Sequence, residues 1–251
     1  MLFLCPLFFL LIHESIYEIN IFDDNLIHTP MNLTETLSTL QSLGDEKVRK
    51  QHLKNGAREN LFGVKMGDIR TLAKKIKTDH ELALELWKTN NIDARMLAIL
   101  ILNPKELSAE EIEGMVSSEQ FAWAADWFYN YVVKEYPAKE EFREKWMDSN
   151  DAMLARAGWS LTAGRITRNS DGLDITSILN RIELEMPKAT KENQWTMNTT
   201  LAQIGINHTQ FRARALSIGE KLGVFRDYPV SKGCTSPFAP IWINEMVSRQ
   251  K

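Results

Sequence analysis

Helical periodicity is the feature that most limits what this sequence can fold into. Apolar residues recur every three to four positions through most of the chain, and the alternating runs typical of β-strands are absent. The pattern predicts helices at about 33–43, 45–56, 69–77, 79–88, 92–102, 108–117, 119–135, 139–148, 151–168, 173–186, 192–206, 208–222 and 240–249. Asp68 is the expected cap of the third helix. We therefore expect an all-α fold.

Two stretches of the chain resemble each other. "LELWKTNNIDARMLAILIL" and "REKWMDSNDAMLARAGWSL" each have a tryptophan near a helix end, an Asn/Asp turn and an arginine early in an apolar helix. Apolar helices recur at about 93–102, 120–134, 152–167 and 192–206, a spacing of roughly 30–40 residues that is typical of HEAT-like repeats. Such repeats stack into curved arrays with a concave inner face. The prediction is a HEAT-like helical-repeat solenoid, an α-α superhelix, forming a single domain over 31–251.

The first thirty residues differ from the rest. Residues 2–12 form an apolar run too short to span a bilayer as a helix, and residues 1–30 contain four acids and no Lys or Arg. A secretory signal would need a basic leader and a small-residue cleavage site. We expect the native chain to start at Met31, with 1–30 a non-native or disordered extension; a signal or membrane anchor is the alternative.

The last thirty residues also break the pattern. Residues 225–247 contain three prolines and are typical of an ordered loop followed by a short helix. We expect the segment 225–251 to fold back as a C-terminal cap, because Phe238, Ile241 and Trp242 require burial.

Charge and cysteine usage limit the function only weakly. The chain has 30 basic and 33 acidic residues, a net charge of −3; from Met31 the acids number 29 and the net charge is +1. Neither value marks a nucleic-acid-binding protein, so any basic surface must come from local clustering. Cys234 is the only cysteine after Met31, which excludes an internal disulfide framework and suits a reducing cytoplasm. We expect a cytoplasmic monomer without membrane attachment.

Asp126 is the most unusual polar residue, because it lies in the apolar stretch "QFAWAADW". A charge in such surroundings is unfavourable unless it is paired or used. In one interpretation the tryptophans are core and Asp126 pairs with Arg156. In the other, a dry carboxylate beside aromatic faces stabilises a transient cation on a flat ring, such as an alkylated nucleobase. The sequence leaves both open.

Other polar residues have similar alternatives. Arg156 is a partner for Asp126 or a phosphate clamp, and Arg165 and Arg168 are a solvated helix end or a backbone-binding strip. Lys74, Lys75 and Lys77 are most simply a solvated helix face. His52, His80 and His208 lack paired ligand spacing, so no metal is expected, and no motif indicates a cofactor.

With these residues identified, residues 31–222 resemble a known family, the AlkD-like HEAT-repeat 3-methyladenine DNA glycosylases of DNA alkylation repair. The signature "FGVKMGDIRTLAKKI" (62–76) is similar to the family pattern at Gly63-Val64, Arg70 and Ala73-Lys74, with Gly67 where the family has proline. Asp126 matches the family aspartate, and Arg156 matches the arginine that opens the next inner helix.

The resemblance implies excision of cationic N3- and N7-alkylpurines from double-stranded DNA, without a metal and without a deep base pocket. It implies that Asp126 is catalytic. The expected DNA-binding residues are Arg156, Trp123, Trp127, Trp159, Trp195, Arg95, Arg165 and Arg168. Two family tryptophans fall on Ala122 and near Thr199, so the aromatic clamp does not carry over cleanly. The alternative function is a non-catalytic scaffold that binds DNA structures or a protein.

Overall fold

The computed structural model describes residues 31–250, and the expected extension at 1–30 lies outside the described residues. Within 31–250 the regular structure is helical, and the all-α prediction is confirmed. A single isolated β-bridge, between Gly44 and Val64, is the only β-type pairing in the described part of the chain.

Thirteen α-helices and three short 3-10 helices make up the described residues. The α-helices are α1 (Leu33–Ser42), α2 (Glu46–Lys54), α3 (Met66–Ile76), α4 (His80–Lys88), α5 (Ile92–Ile101), α6 (Ala109–Ser118), α7 (Ala122–Tyr131), α8 (Lys139–Met147), α9 (Ala152–Arg168), α10 (Ile175–Glu185), α11 (Lys191–Asn207), α12 (Thr209–Leu222) and α13 (Ala239–Arg249). The 3-10 helices are Pro104–Glu106, Val133–Glu135 and Met186–Lys188. None of the helices within 31–250 combines the length and the hydropathy needed to traverse a bilayer.

The predicted helices agree with these bounds to within a few residues, with two informative differences. The helix predicted at 119–135 is divided, because α7 ends at Tyr131 and a 3-10 turn follows. The prediction that Asp68 caps the third helix is wrong. Helix α3 begins at Met66 after Lys65, which makes no side-chain cap, and Asp68 lies in the first turn. A carboxylate there favours the positive end of the helix dipole without capping it.

The described residues form two compact units, a first unit at 31–141 and a second unit at 142–250. Helix α8 crosses the boundary between them. The expected single domain with a C-terminal cap stays a prediction, and each unit is considered by itself below.

In the first unit, a buried carboxylate holds the loop that precedes α3. Asp93, in the first turn of α5, is fully buried and accepts hydrogen bonds from the backbone N–H groups of Phe62, Gly63 and Val64 at 2.6, 3.0 and 2.9 Å. Gly63 has a φ of +83°, and a Cβ there would lie 2.6 Å from the backbone nitrogen of Arg49. Only glycine fits this position, so loop, glycine and carboxylate together set where α3 begins.

In the second unit, one core cluster is built mainly from α9, α10, α11, α12 and α13. Helix α9 approaches α8 closely at Gly158, where a Cβ would lie 2.6 Å from the Met147 backbone nitrogen and 2.8 Å from the Trp146 carbonyl carbon. Because any side chain at 158 would meet rigid backbone, this glycine determines the spacing of the two helices.

Helix α13 packs against two further glycines. A Cβ at Gly205 of α11 would overlap the Ile243 side chain, and one at Gly219 of α12 would lie 2.7 Å from the Pro240 ring. The preceding loop is tied to α11 by Asn198, whose Nδ2 donates to the Pro237 carbonyl oxygen at 2.8 Å. The close approach lets α13 bury its apolar face without large side chains on the receiving helices.

The expected burial in this segment is confirmed for Phe238 and Trp242, which are 3% and 4% exposed. It is wrong for Ile241, which is 49% exposed. Ile241 follows Pro240 on a helix, so its side chain points about 100° away from that of its buried neighbour.

The three backbone hydrogen bonds that Asp93 accepts predict a large loss of stability for Asp93→Asn. The amide has one acceptor oxygen and presents an N–H₂ group to three buried backbone donors, so we expect a loss of roughly 3 kcal/mol in the free energy of unfolding. Urea titration followed by circular dichroism measures it. The matched control is Asp79→Asn, which keeps a good N-cap for α4 and should change stability by only a few tenths of a kcal/mol. Equal, small losses of stability in both variants would contradict the proposed importance of the Asp93 hydrogen bonds.

Candidate functional site

Asp126 lies on α7 in the first unit and is only 7% exposed. Its neighbours along the helix, Ala124, Trp127 and Phe128, are buried as well. Asn130, one turn later, donates from Nδ2 to the Asp126 backbone carbonyl oxygen at 2.7 Å. Asp126 is therefore a largely buried residue on a regular helix.

A second buried carboxylate fixes the start of α7. Glu119 is fully buried, and its Oε1 accepts the backbone N–H of Phe121, the N-cap residue, at 2.8 Å. The same carboxylate accepts two hydrogen bonds from Arg58, at 3.2 and 2.9 Å, and one from Arg95 at 3.0 Å. Phe121 makes no side-chain cap hydrogen bond, and Glu119 instead holds the backbone N–H of this residue. The helix that bears Asp126 is thereby anchored by ionic hydrogen bonds.

Arg95 was expected among the DNA-binding residues, and its surroundings favour a structural role. It is 5% exposed, and besides Glu119 it donates to the Trp87 and Ser118 carbonyl oxygens at 3.2 and 2.9 Å. Its guanidinium lies 4.6 Å from the Trp87 ring centroid. Burial lowers the pKa of Arg95, and the bond to Glu119 offsets part of that effect.

Trp127 connects α7 to a basic helix. Its ring is buried, packs on Tyr131 at 5.6 Å, and lies 4.9 Å below the guanidinium of Arg70. Arg70 is exposed on α3, where Lys74 and Lys77 follow at helical spacing. From the sequence, the α3 lysines were predicted to be a solvated face. The sequence pattern does not reveal the contact between Arg70 and Trp127, because these residues lie far apart in the chain.

Trp123 is packed inside the first unit. It is half-buried, with its ring 5.3 Å from that of His52 and 6.1 Å from that of Phe121. Ala122 occupies the position where the related glycosylases have a tryptophan. The aromatic residues around Asp126 thus support the fold of α7 more than they form an exposed clamp.

In the second unit, Arg156 and Trp159 lie on α9 and are 3% and 2% exposed. Trp159 belongs to the core cluster, with the Arg181 guanidinium 5.5 Å from its ring centroid. Core packing explains Trp159, and its burial weighs against direct contact with DNA.

The end of α9 carries the two remaining arginines. The Arg165 guanidinium donates to the Asn169 carbonyl oxygen and, at 2.9 Å, to that of Asp171, so it closes the C-terminus of the helix. Arg168 is exposed. Of the two, Arg168 is the side chain that reaches solvent most freely.

Trp195 on α11 belongs to a half-buried aromatic cluster. Its ring lies 5.3 Å from that of Phe225 and 5.8 Å from that of Tyr228. Phe225 adopts a φ of +63°, and burial raises the pKa of Tyr228. Trp195 thus packs against the chain that leads to α13.

Asp126 and Arg156 belong to different units, and their meeting in one groove stays a prediction. Side chains of His, Cys, Asp and Glu within 31–250 form no group of three that could hold a metal ion.

Comparison with known proteins gives a consistent result. Residues 33–226 match the model of a family described as DNA alkylation repair enzyme. Two uncharacterized proteins, Lmo0209 of Listeria monocytogenes and Lin0241 of Listeria innocua, are each 23% identical to the chain. Each alignment covers 84% of this chain, with 96% of the first protein and 95% of the second.

A solved structure is also similar, with a TM-score of 0.72, 27% identity, and coverage of 88% of this chain and 95% of that one. It is described as a new family of proteins related to the HEAT-like repeat DNA glycosylases with affinity for branched DNA structures. The predicted HEAT-like fold and the predicted family resemblance are therefore confirmed.

We expect His52, which packs beneath Trp123, to lower the stability of the protein in acid. It is 2% exposed, and burial lowers its pKa below the ordinary 6.5, with Asp93 opposing the shift. Below about pH 6.5 the unfolded chain takes up a proton that the folded protein does not, so stability falls as pH falls. We expect up to about 1.4 kcal/mol per pH unit from this residue, and His52→Gln should remove that slope. Urea unfolding at pH 7, 6 and 5 measures it; parallel slopes for both proteins would contradict the prediction.

Proposed function

Because the chain belongs to the DNA alkylation repair enzyme family, we propose that it is a DNA glycosylase that excises cationic N3- and N7-alkylated purines from double-stranded DNA. The observation that carries this proposal is Asp126, a carboxylate largely buried on the rigid helix α7. The proposed enzyme needs no cofactor, since the cationic base is already an activated leaving group.

The proposed reaction breaks the bond between C1′ of deoxyribose and the ring nitrogen of the base. The bonding electron pair leaves with the base and neutralises its positive charge, while positive charge develops on the sugar. Asp126 stabilises that oxocarbenium-like state, and a preorganised charge in a dry site is effective at this. Water oriented by Asp126 then adds to C1′, and its proton passes to the solvent.

We propose DNA contacts from five of the residues predicted from the sequence. Arg156 is proposed as the phosphate clamp or as the partner that orients Asp126, and Arg168 as a backbone contact. Trp123, Trp127 and Trp195 are proposed at the edges of the bound DNA. Arg95, Arg165 and Trp159 are fully used within their own units, so we leave them out of the contact set.

A second candidate function is recognition of DNA structure without base excision. Ala122 stands where the related glycosylases have a tryptophan, and Trp123 is packed on His52 instead. The similar solved protein is described as having affinity for branched DNA. In this alternative, Asp126 is a structural residue of α7.

The catalytic role predicts that Asp126→Asn abolishes base release and largely preserves the fold. Asparagine keeps the shape and loses the charge, and we expect a rate loss of 10²–10³, about 3–4 kcal/mol. Single-turnover release of N7-methylguanine from methylated duplex DNA measures this, with the melting temperature taken on the same sample. Asp227→Asn, at an exposed position of the second unit, is the charge-matched control and should excise at the wild-type rate.

A structural role for Asp126 gives a different result. If the carboxylate only balances a buried cation, its loss should lower stability by roughly 3–5 kcal/mol. A variant that melts much earlier yet excises at the wild-type rate when folded would exclude Asp126 from catalysis.

Substrate comparison separates the two candidate functions. The glycosylase proposal predicts release of N3-methyladenine or N7-methylguanine by the wild-type protein, together with binding to linear duplex that weakens steeply with salt. Fluorescence anisotropy with a linear duplex and a four-way junction of equal length supplies the binding data. No base release, combined with tighter binding to the junction by a factor of about ten, would reject excision in favour of structure recognition.

A further inference from the structure

Helix α3 carries a concentration of positive charge that the excision mechanism does not use. Residues 65–77 contain five basic residues and one acid, Asp68. The four cations from the middle of the helix to its C-cap are all exposed, and we call them the basic strip: Arg70, Lys74, Lys75 and Lys77. In a chain with a net charge close to zero, such clustering is unusual.

Some cations elsewhere in the first unit are paired with carboxylates, whereas Lys88 and Lys105 are exposed and have no ion pair within the described residues. Arg49 pairs with Glu59 at 2.6 Å, and Lys65 pairs with Asp45 at 3.2 Å. No carboxylate of residues 31–250 lies within ion-pair distance of the basic strip. The strip thus presents uncompensated charge to an external anion.

Lys77 occupies a backbone conformation that disfavours lysine. It is the C-cap of α3, with φ +65° and ψ −157°, a region used almost exclusively by glycine. Glycine is also the usual residue where a helix ends with positive φ. Attraction to the helix dipole is a weak reason for a lysine here, because Lys74 and Lys75 already supply cations to the last turn. A strained lysine in place of glycine indicates that its side chain has a use.

The basic strip also borders the proposed catalytic helix. Arg70 lies at its N-terminal end, 4.9 Å above the ring of Trp127, the residue next to Asp126. From Arg70 to Lys77 the helix advances about 10 Å, so the side chains at its two ends are far enough apart to reach different phosphates. Arg70, Lys74 and Lys77 share one helix face at this spacing.

We infer that the basic strip binds consecutive phosphates of one DNA strand beside the site of Asp126. The inference rests on the proposed function in taking DNA as the ligand, and it adds which residues hold the backbone. Phosphate contacts of this kind position the duplex and carry no sequence preference. Each neutralised phosphate adds about 0.9 to the slope of log affinity against log salt.

The first test removes two charges at a time. Lys74→Gln/Lys77→Gln should reduce the salt slope for a fluorescein-labelled linear duplex by about 1.8 and weaken binding about tenfold or more at low salt. The matched control is Lys88→Gln/Lys105→Gln, which removes two exposed lysines from the same unit and the same net charge. Equal slopes in the strip variant, the control and the wild type would overturn the inference.

The second test uses the strained position. Lys77→Gly should raise the melting temperature by roughly 2–4 °C, because the backbone strain is relieved, and should reduce the salt slope by about 0.9. Lys77→Arg keeps the charge and should keep the slope. A Lys77→Gly protein that is more stable and binds DNA with an unchanged slope would show that the lysine serves no phosphate.

The two proposals fail in different ways. A wild-type protein without affinity for duplex DNA at low salt would refute the proposed function. A wild-type protein that binds duplex and releases base, while both strip variants keep its salt slope, would refute the basic strip alone.

Discussion

The hydrogen bonds between Asp93 and the loop at 62–64 are the interaction on which the first unit depends. A loop inside a helical protein must satisfy its backbone donors, and here one carboxylate satisfies three successive N–H groups. The direction in which the chain enters α3 is determined by these hydrogen bonds and by Gly63. The position of α3 in turn puts Arg70 over Trp127. The position of Arg70 next to Trp127 therefore depends on the buried carboxylate of Asp93, whose own role is structural.

Three carboxylates are buried in the first unit, and their surroundings differ. Asp93 receives backbone donors, and Glu119 receives two guanidinium groups and one backbone donor. Both are thereby explained by the fold, as expected for buried charges in a stable protein. Asp126 on α7 is the third buried carboxylate, and its role in chemistry stays a proposal. The burial of a charge therefore does not by itself identify a functional residue. The groups that contact the charge are needed to separate structural from functional carboxylates.

The helices could be predicted because their signals are local: apolar periodicity, Asn and Asp caps, and short turns recovered most of the helix bounds within 31–250. The site could be predicted only in part. Asp126 stands out as a charge within an aromatic stretch, whereas the contacts of Arg58 and Arg95 with Glu119 join residues that share no sequence pattern. Arg95 and Trp159 were expected to face DNA because they lie on inner helices. Both are buried, and helical position does not tell a groove-lining residue from one buried against the next helix, so their contact with DNA stays a prediction.

The docking of α13 has a consequence for how short the chain can be made. Its receiving surface contains Gly205 and Gly219, which have no side chains to cover the gap if the helix is absent. A chain ending at residue 238 would uncover the groove that holds Trp242 and Ile243, and with it part of the core of the second unit. Exposed apolar surface of that kind promotes self-association. The C-terminal helix therefore also determines solubility, and shortened forms of this protein should be expected to aggregate before they lose their helices.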